Sequence, residues 1–587
     1  MTRRNPVDRL ARPALAWAEA GLNALRRRAF DEWSATSIYG LTLDRPSVTG
    51  FAAGPRDFRP TDAAAGRHLL AGRFDLAGAA LELEPGDDPW DRASPSRLFA
   101  VKLHRFDFAA DLLGAGEAGA RELLRLFLAW RAIFGRPSPF AWGLETLNRR
   151  VYNLACAARR LTGVASEAET QILAELIAFQ ARHLLRLHVG PMRAAERFTA
   201  VAVAGAALAG TAGERLMAAS LPQLSRSLVD AVLADGGMRT RSPQAGVELL
   251  LDLLTLDDAL LQRGREPPVE VSRAIDRLSA ALRFFVMADG RLPSFQGGEA
   301  GDPARLDAAR AHEDSETRPF GYAPHSGYHR LQGRTLLIMV DAAPPADGAW
   351  SLTACAHPLA LEVVAGRDRL IVNPGWSPDA AAPQGLRLTT AASTAQLEDA
   401  SAGRPLVGFR ARAFGPRLVE GPRRVDVRRN DSETGIWLEL AHDGWIERFG
   451  HVHERRLFLD AAADELRGED RIAPGADAHK RPGREAAFRI RFHLHPEVQV
   501  SLARDQRSVL LKGPSERGWW LRNDAPEVTL EPSVWFEHGL PRRTTQVVLH
   551  ARAAGVEGGR VRWKLTPVEP AEPEKARWSP QSPASRA

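Results

Sequence analysis

The sequence predicts a multidomain α+β chain in which a helical region comes first and an antiparallel β region follows. Three observations carry this expectation. Between residues 98 and 287 apolar side chains recur at helical spacing, after Gly297 the period falls to two, and 587 residues exceed what one hydrophobic core holds. Helices first and strands afterwards segregate the two kinds of element, whereas a doubly wound parallel sheet would interleave them. A composition of 44% hydrophobic and 26% charged residues is that of a globular chain, which excludes wholesale disorder and a membrane bundle.

Each part has its own local signal. Residues 1–94 read as an N-terminal helix and a small β segment; residues 51–89 are Gly- and Pro-rich, and Leu69-Leu70-Ala71-Gly72-Arg73-Phe74 reads as strand. Residues 95–320 read as successive amphipathic helical hairpins. Ile172, Leu176, Phe179 and His183 fall on one helical face, and so do Leu221, Leu224, Leu228 and Val232, in a helix expected to stop at Asp235-Gly236-Gly237 because glycine takes the left-handed terminal conformation cheaply. Residues 325–565 read as strands: residues 334–341 form one candidate, and residues 359–364 with 370–372 form a hairpin around Ala365-Gly366-Arg367-Asp368. The tail, 566–587, holds five prolines among polar residues and cannot bury enough apolar area to order itself.

A formal net charge of +6 favours a polyanionic partner, an acidic glycan or a nucleic acid, although an ordinary solvated basic surface carries the same charge. No nucleic-acid-binding motif accompanies it, so no nucleic acid is expected. Cys156 and Cys355 are the only cysteines, which excludes a disulfide framework and a CxxC metal ribbon. His493-x-His495 and His451-x-His453 each place two imidazoles on one strand face, but spacing supplies no further ligand, so neither metal nor cofactor is expected. The apolar stretch 14–22 is broken by Glu19 and followed by Arg26, Arg27 and Arg28 rather than a small-residue cleavage site, so no signal peptide is read. No apolar run approaches the length of a spanning helix. Oligomeric state leaves no mark in the sequence.

Six blocks, in order from about residue 95 to 565, resemble the bacterial heparinase II/III family. They are residues 234–238 with Arg241-Ser242-Pro243; Asp289-Gly290 with residues 295–298; residues 326–331; residues 359–362 with 369–373; His442-Asp443-Gly444-Trp445 with residues 453–456; and residues 491–496. The resemblance implies an incomplete (α/α) toroid followed by an antiparallel β-sandwich. It implies a polysaccharide lyase acting on a uronic-acid-containing acidic polysaccharide by β-elimination, without an obligatory metal. It also implies a cell-envelope or periplasmic setting, with a cytoplasmic one left open by the missing signal peptide. Such chemistry needs a proton acceptor and donor beside a cation that neutralises the carboxylate.

The sequence departs from the family pattern where that chemistry would sit. Cys355 stands where the family places a His before its central hairpin, Met238 stands in the His position of a DGGH segment, Ala392 replaces a further His, and Ser242-Pro243 continues as Gln244 rather than Tyr. His357, two residues beyond Cys355 and therefore on the same strand face, is the candidate replacement, with Tyr328 and His442 as further catalytic candidates. Arg239, Arg241, Tyr322 and Arg491 are candidates for substrate binding, with Arg239, Arg241 and one sheet arginine expected to converge on a cleft. Arg489, Arg491, His493 and His495 alternate with Phe488, Ile490, Phe492 and Leu494, giving one apolar and one basic strand face that reads either as an anion site or as a solvated surface. Trp437, Trp445, Trp519 and Trp520 suit either sugar stacking or a sandwich core. The alternative to a lyase is a catalytically degenerate polysaccharide-binding protein of envelope or exopolysaccharide metabolism.

Overall fold

The structure, a computed structural model, describes residues 18, 21–22, 24–26, 28–43, 47–312, 319–378, 384–475 and 483–568. The stretch read for a signal peptide up to residue 17 and the tail beyond Val568 lie outside the described residues. The helical part comprises α1 (Ser37–Leu41), α2 (Ala63–Leu70), α3 (Arg97–Arg105), α4 (Ala109–Gly114), α5 (Glu117–Phe134), α6 (Leu144–Thr162), α7 (Glu167–Arg186), α8 (Ala194–Ala207), α9 (Gly210–Ala231), α10 (Pro243–Gln262), α11 (Val269–Phe285) and α12 (Pro303–Arg310). A hairpin, β1 (Arg73–Leu76) with β2 (Ala79–Glu82), follows α2. Leu69 and Leu70, expected in a strand, instead close α2. The Asp62 carboxylate caps that helix by accepting from the Ala64 and Ala65 N–H groups, and only at Gly72, φ +85°, does the chain turn into β1.

Two further helical readings shift by a residue or a turn. In α7, started by a capping box of Ser166 and Glu169, the deepest face is Leu173, Ile177, Gln180 and Leu184, one position beyond the stripe expected at Ile172 to His183. Helix α9 ends at Ala231 rather than at the glycines, because Val232 pairs with Met238 in a short antiparallel bridge that Gly236, φ +80°, closes. Helix α8 lies at the centre, packed against α6, α7, α9 and α10, and from Phe198 to Ala207 every residue is buried. That all-round burial explains its run of Ala, Val and Gly.

The β part holds β3 (Tyr322–Ala323), β4 (Tyr328–Gln332), β5 (Leu336–Asp341), β6 (Leu361–Ala365), β7 (Asp368–Val372), β8 (Ala395–Leu397), β9 (Arg404–Pro405), β10 (Leu418–Val419), β11 (Val425–Ser432), β12 (Gly435–His442), β13 (His451–Asp460) and β14 (Glu465–Pro474). It continues with β15 (Ala486–Leu494), β16 (Gln499–Leu502), β17 (Val509–Lys512), β18 (Gly518–Asn523), β19 (Glu527–Glu537), β20 (Leu540–Ala553) and β21 (Gly559–Pro567). Nine strands make the inner sheet, in the order β19-β20-β15-β7-β6-β5-β4-β3 with β8 on β15; eight make the outer sheet, β11-β12-β13-β14-β21-β18-β17-β16. The described pairings are antiparallel, as expected, and the β6–β7 hairpin forms where it was read.

The inner sheet is covered on both faces. Leu337, Met339 and Val364 join the core of the helical part, while Ile338, Val340 and Val363 join the core shared with the outer sheet. Strand β5 is therefore buried at every residue, and its sequence is a continuous apolar run instead of the alternation expected of a half-exposed strand. Guanidiniums clamp the sheet to the helical part. Arg369 reaches Asp289 at 2.7 Å and Glu362 at 3.0 Å and donates to the Leu292 carbonyl, while Glu362, fully buried, also accepts from the Ser294 and Asn373 N–H groups. Removing one partner of such a buried cluster costs about 3–5 kcal/mol, because the remaining charge is left dry and unpaired.

Candidate functional site

A cavity of about 1030 Å³ opens between the helical part and the edge of the sandwich, at the upper limit of the usual size of a ligand site. Its walls come from the segment before α2, from α3, α6 and α10, and, on the sandwich side, from Gly297, Thr353 and Ser377. Helix α6 presents Arg149, Asn153, Cys156 and Arg160 to it, at i, i+4, i+7 and i+11, a polar stripe on an otherwise buried helix.

Charge is the dominant feature of this cavity. Nine Lys or Arg and seven Asp or Glu side chains line it, and among the described residues no His or Tyr does. Most are paired. Arg149 Nη1 holds both Asp252 oxygens at 2.9 and 2.8 Å; Arg59 bridges Asp252 at 2.7 Å, Glu248 at 2.9 Å and Asp57 at 3.0 Å; Arg305 takes the other Glu248 oxygen at 2.8 Å. Burial works against the Glu248 carboxylate, yet Arg305, Arg59 and Arg149 together hold it well below the usual range. Tyr152, just behind this ladder, is buried, donates to Thr255 at 2.8 Å and is pushed well above the ordinary phenol range, first by burial. The Cys156 thiol is likewise pushed up by burial. Lys102, Arg56, Arg159 and Arg160 line the same cavity and form no ion pair with a described carboxylate. The arrangement can hold an anion. Six of its seven carboxylates are paired with guanidiniums and are poor proton acceptors; the seventh, Asp111, accepts from the Asp62 N–H and is raised by burial.

The residues singled out from sequence lie elsewhere, and for each the packing gives the reason. Tyr328 is fully buried between the Phe285 and Phe295 rings, and its hydroxyl donates to the Arg241 carbonyl at 2.6 Å. Arg241, itself at φ +66°, pairs with Asp341 at 2.5 Å and donates to the carbonyls of Ser326, Gly327, Ala343 and Pro344, so it joins β4 and β5 to the helical part and keeps no donor for a ligand. His357 is 5% exposed; its Nε2 meets the Leu386 carbonyl at 3.2 Å and burial pulls its pKa down to about 4. His442 sits inside the sandwich, where Nδ1 accepts from the Gly444 N–H and Nε2 meets His453 at 3.2 Å. His453 in turn contacts Asp470 at 2.7 Å, beside Arg455 and the Trp563 indole N–H. Burial holds His442 well below the ordinary imidazole range.

The arginines expected to converge do not. Arg239 is exposed, with its guanidinium 5.5 Å from the Trp350 ring, and Arg491 pairs with Glu531 at 3.0 Å and with Gln396 and Gln546. The basic face of β15 is not solvated either: Arg491, His493 and His495 are buried, because β8, residues 384–394 and β19 cover that side. Tyr322, 53% exposed, stacks on His329 at the sheet edge. Trp445 and Trp519 are core, whereas Trp437 is exposed. Among the described residues no helix is long and apolar enough to cross a membrane, and no group of three metal-ligating side chains forms.

At the family positions that differ, the cavity meets inert groups. Met238 and Gln244 line it, with the Gln244 amide oxygen accepting from the Glu299 N–H at 2.9 Å, while Cys355 is 2% exposed and raised to about 11 by burial and Ala392 is fully buried. Sequence reasoning found these losses but missed the cavity cations; the polar stripe on α6 was the signal available.

A helical toroid set on a two-sheet sandwich, with a charged cavity at their border, is the fold of the heparinase-type proteins. The comparisons agree. The fold matches the crystal structure of heparinase III with a TM-score of 0.67 at 13% identity, covering 94% of this chain and 91% of that one. It also matches the heparan sulfate lyase HepC from Pedobacter heparinus with a TM-score of 0.54 at 15% identity, covering 90% and 87%. Residues 315–579 match the family described as heparinase II/III-like, C-terminal, and the chain belongs to the heparinase II/III-like family. It is 50% identical over 576 residues to FtsZ-localized protein C of Caulobacter vibrioides (strain NA1000 / CB15N), covering 97% of this chain and 100% of the relative.

Proposed function

We propose that this chain is a heparinase-fold protein that works by binding rather than by β-elimination, and that it is localised with FtsZ as its Caulobacter relative is by name. The observation that carries the proposal is the cavity itself. Elimination requires a base and an acid within hydrogen-bond reach of a neutralised carboxylate. Here Met238 and Gln244 stand at two positions where the family resemblance implies His and Tyr, and His357, Tyr328 and His442 have their polar atoms engaged away from the cavity or buried. Lys102, Arg56, Arg159 and Arg160, which form no ion pair with a described carboxylate, support a second element of the reading: the cavity retains affinity for an acidic polysaccharide or another polyanion without turning it over.

Two assays test this. Purified chain is expected to bind purified FtsZ in biolayer interferometry, and incubation with uronate polymers is expected to give no new ultraviolet absorbance from an unsaturated product. Absorbance that grows with enzyme concentration and disappears in His357→Ala would overturn the reading and restore the displaced-histidine lyase.

A further inference from the structure

The outer sheet carries a line of side chains that neither the cavity nor the core uses. The register Trp437↔Phe458, Phe458↔Arg467, Arg467↔Lys564 and Lys564↔Arg522 sets one residue from each of β12, β13, β14, β21 and β18 in a single row. Their chain neighbours Leu438, Leu457, Leu459, Leu466, Leu565 and Leu521 fill the sandwich core, so the row lies on the opposite face. With strands about 4.8 Å apart the row is about 19 Å long. At one end Trp437, 45% exposed, rests on Phe458 with ring centroids 4.5 Å apart. At the other end Arg522 lies 5.4 Å from the Trp520 ring. The Arg467 and Lys564 side chains, 57% and 44% exposed, share Glu465 beneath them. The parallel row alternates in sign, Glu439, Arg456, Glu469, Arg562.

We infer that this face docks a protein surface that lays carboxylates over Arg467, Lys564 and Arg522 and an apolar side chain over Trp437. The inference rests on the FtsZ reading above and takes FtsZ as the occupant. Three adjacent cations, two of them sharing one carboxylate, call for acidic groups. A uniformly anionic glycan laid along them would also meet Glu439 and Glu469, whereas a protein surface of mixed charge can match both rows. An indole exposed on a rigid sheet is the kind of side chain that anchors protein interfaces.

The test is the affinity of full-length chain for purified FtsZ, wild type against Trp437→Ala and against the combined Arg467→Gln, Lys564→Gln and Arg522→Gln variant. About a tenfold loss of affinity is expected for each, steeper at low salt for the charge variant, with melting temperatures close to wild type because the altered groups face solvent. Binding by wild type that both variants retain would overturn the docking face and leave the FtsZ reading standing. Absence of binding by wild type would overturn both. A variant that loses retention on heparin while keeping FtsZ would assign the face to a glycan and likewise overturn the inference.

Discussion

The toroid cavity and the toroid–sandwich junction are built from the same kinds of pair, arginine with carboxylate, and use them differently. At the junction Arg369 with Asp289 and Glu362, and Arg241 with Asp341, are almost fully buried, and every guanidinium is satisfied by carboxylates and carbonyls. In the cavity the ladder Arg149–Asp252–Arg59–Glu248–Arg305 runs from buried Asp252 and Arg59 out to Glu248 and Arg305, 33% and 41% exposed at the opening, and has unpaired cations beside it. The first arrangement fixes one body against another. The second holds a charged surface ready, and only there can an incoming anion replace water without first breaking the fold.

The largest effect should come from the junction. Arg369→Leu leaves Asp289 and Glu362 dry and unpaired, and a loss of about 3–5 kcal/mol is expected from the urea midpoint at constant slope. A change below about 1 kcal/mol would erase the contrast between the two regions.

Acidification separates the regions next. His357 and His495, at the sandwich, are pulled down to about 4 by burial, so the unfolded chain binds their protons first. Stability is then complete above about pH 6.5 and is lost as pH falls toward 4, at up to about 1.4 kcal/mol per unit for each group. In the cavity, Glu248 and Glu196 are held low despite burial, by Arg305, Arg59 and Arg149 for the first and by Arg193 and Arg149 for the second, so they are lost only below about pH 4.5. Urea midpoints at pH 7, 5.5 and 4 should fall already in the first interval, and less in His357→Gln. A flat profile down to pH 4.5 would contradict the burial assigned to these imidazoles.

Within the cavity, Asp252→Asn removes the carboxylate that Arg149 and Arg59 share. A cost of about 1–3 kcal/mol, smaller than at the junction, is expected together with later elution from a heparin column, because the Arg149 guanidinium loses its carboxylate beside the opening while Arg59 keeps Glu248 and Asp57. Earlier elution would mean that the ladder, rather than the unpaired cations, organises anion binding. The smallest effect on stability is expected for Lys102→Gln combined with Arg159→Gln, within about 0.5 kcal/mol of wild type, with heparin retention clearly reduced.

The amino-acid pattern by itself determined the order of elements. Helical periodicity up to residue 287, the hairpin at residues 359–372 and the alternation in residues 488–495 are local properties, set by which neighbours along the chain can share a face. The same reading found that Met238, Gln244, Cys355 and Ala392 stand where a lyase of this resemblance would keep chemistry. The tertiary structure alone decided what the remaining polar residues do. It covered the inner sheet on both faces, which buried the basic side of β15 and removed Arg491 from any cleft. It also spent Arg241 on Asp341, a hundred positions away, and the Tyr328 hydroxyl on the Arg241 carbonyl. The cavity was legible only as a stripe on α6, since Arg59, Arg149, Glu248 and Asp252 meet across as many as 193 positions of chain. An ionised side chain announces that it needs a partner or water, and which of the two it receives is settled by packing between elements that the local pattern does not encode.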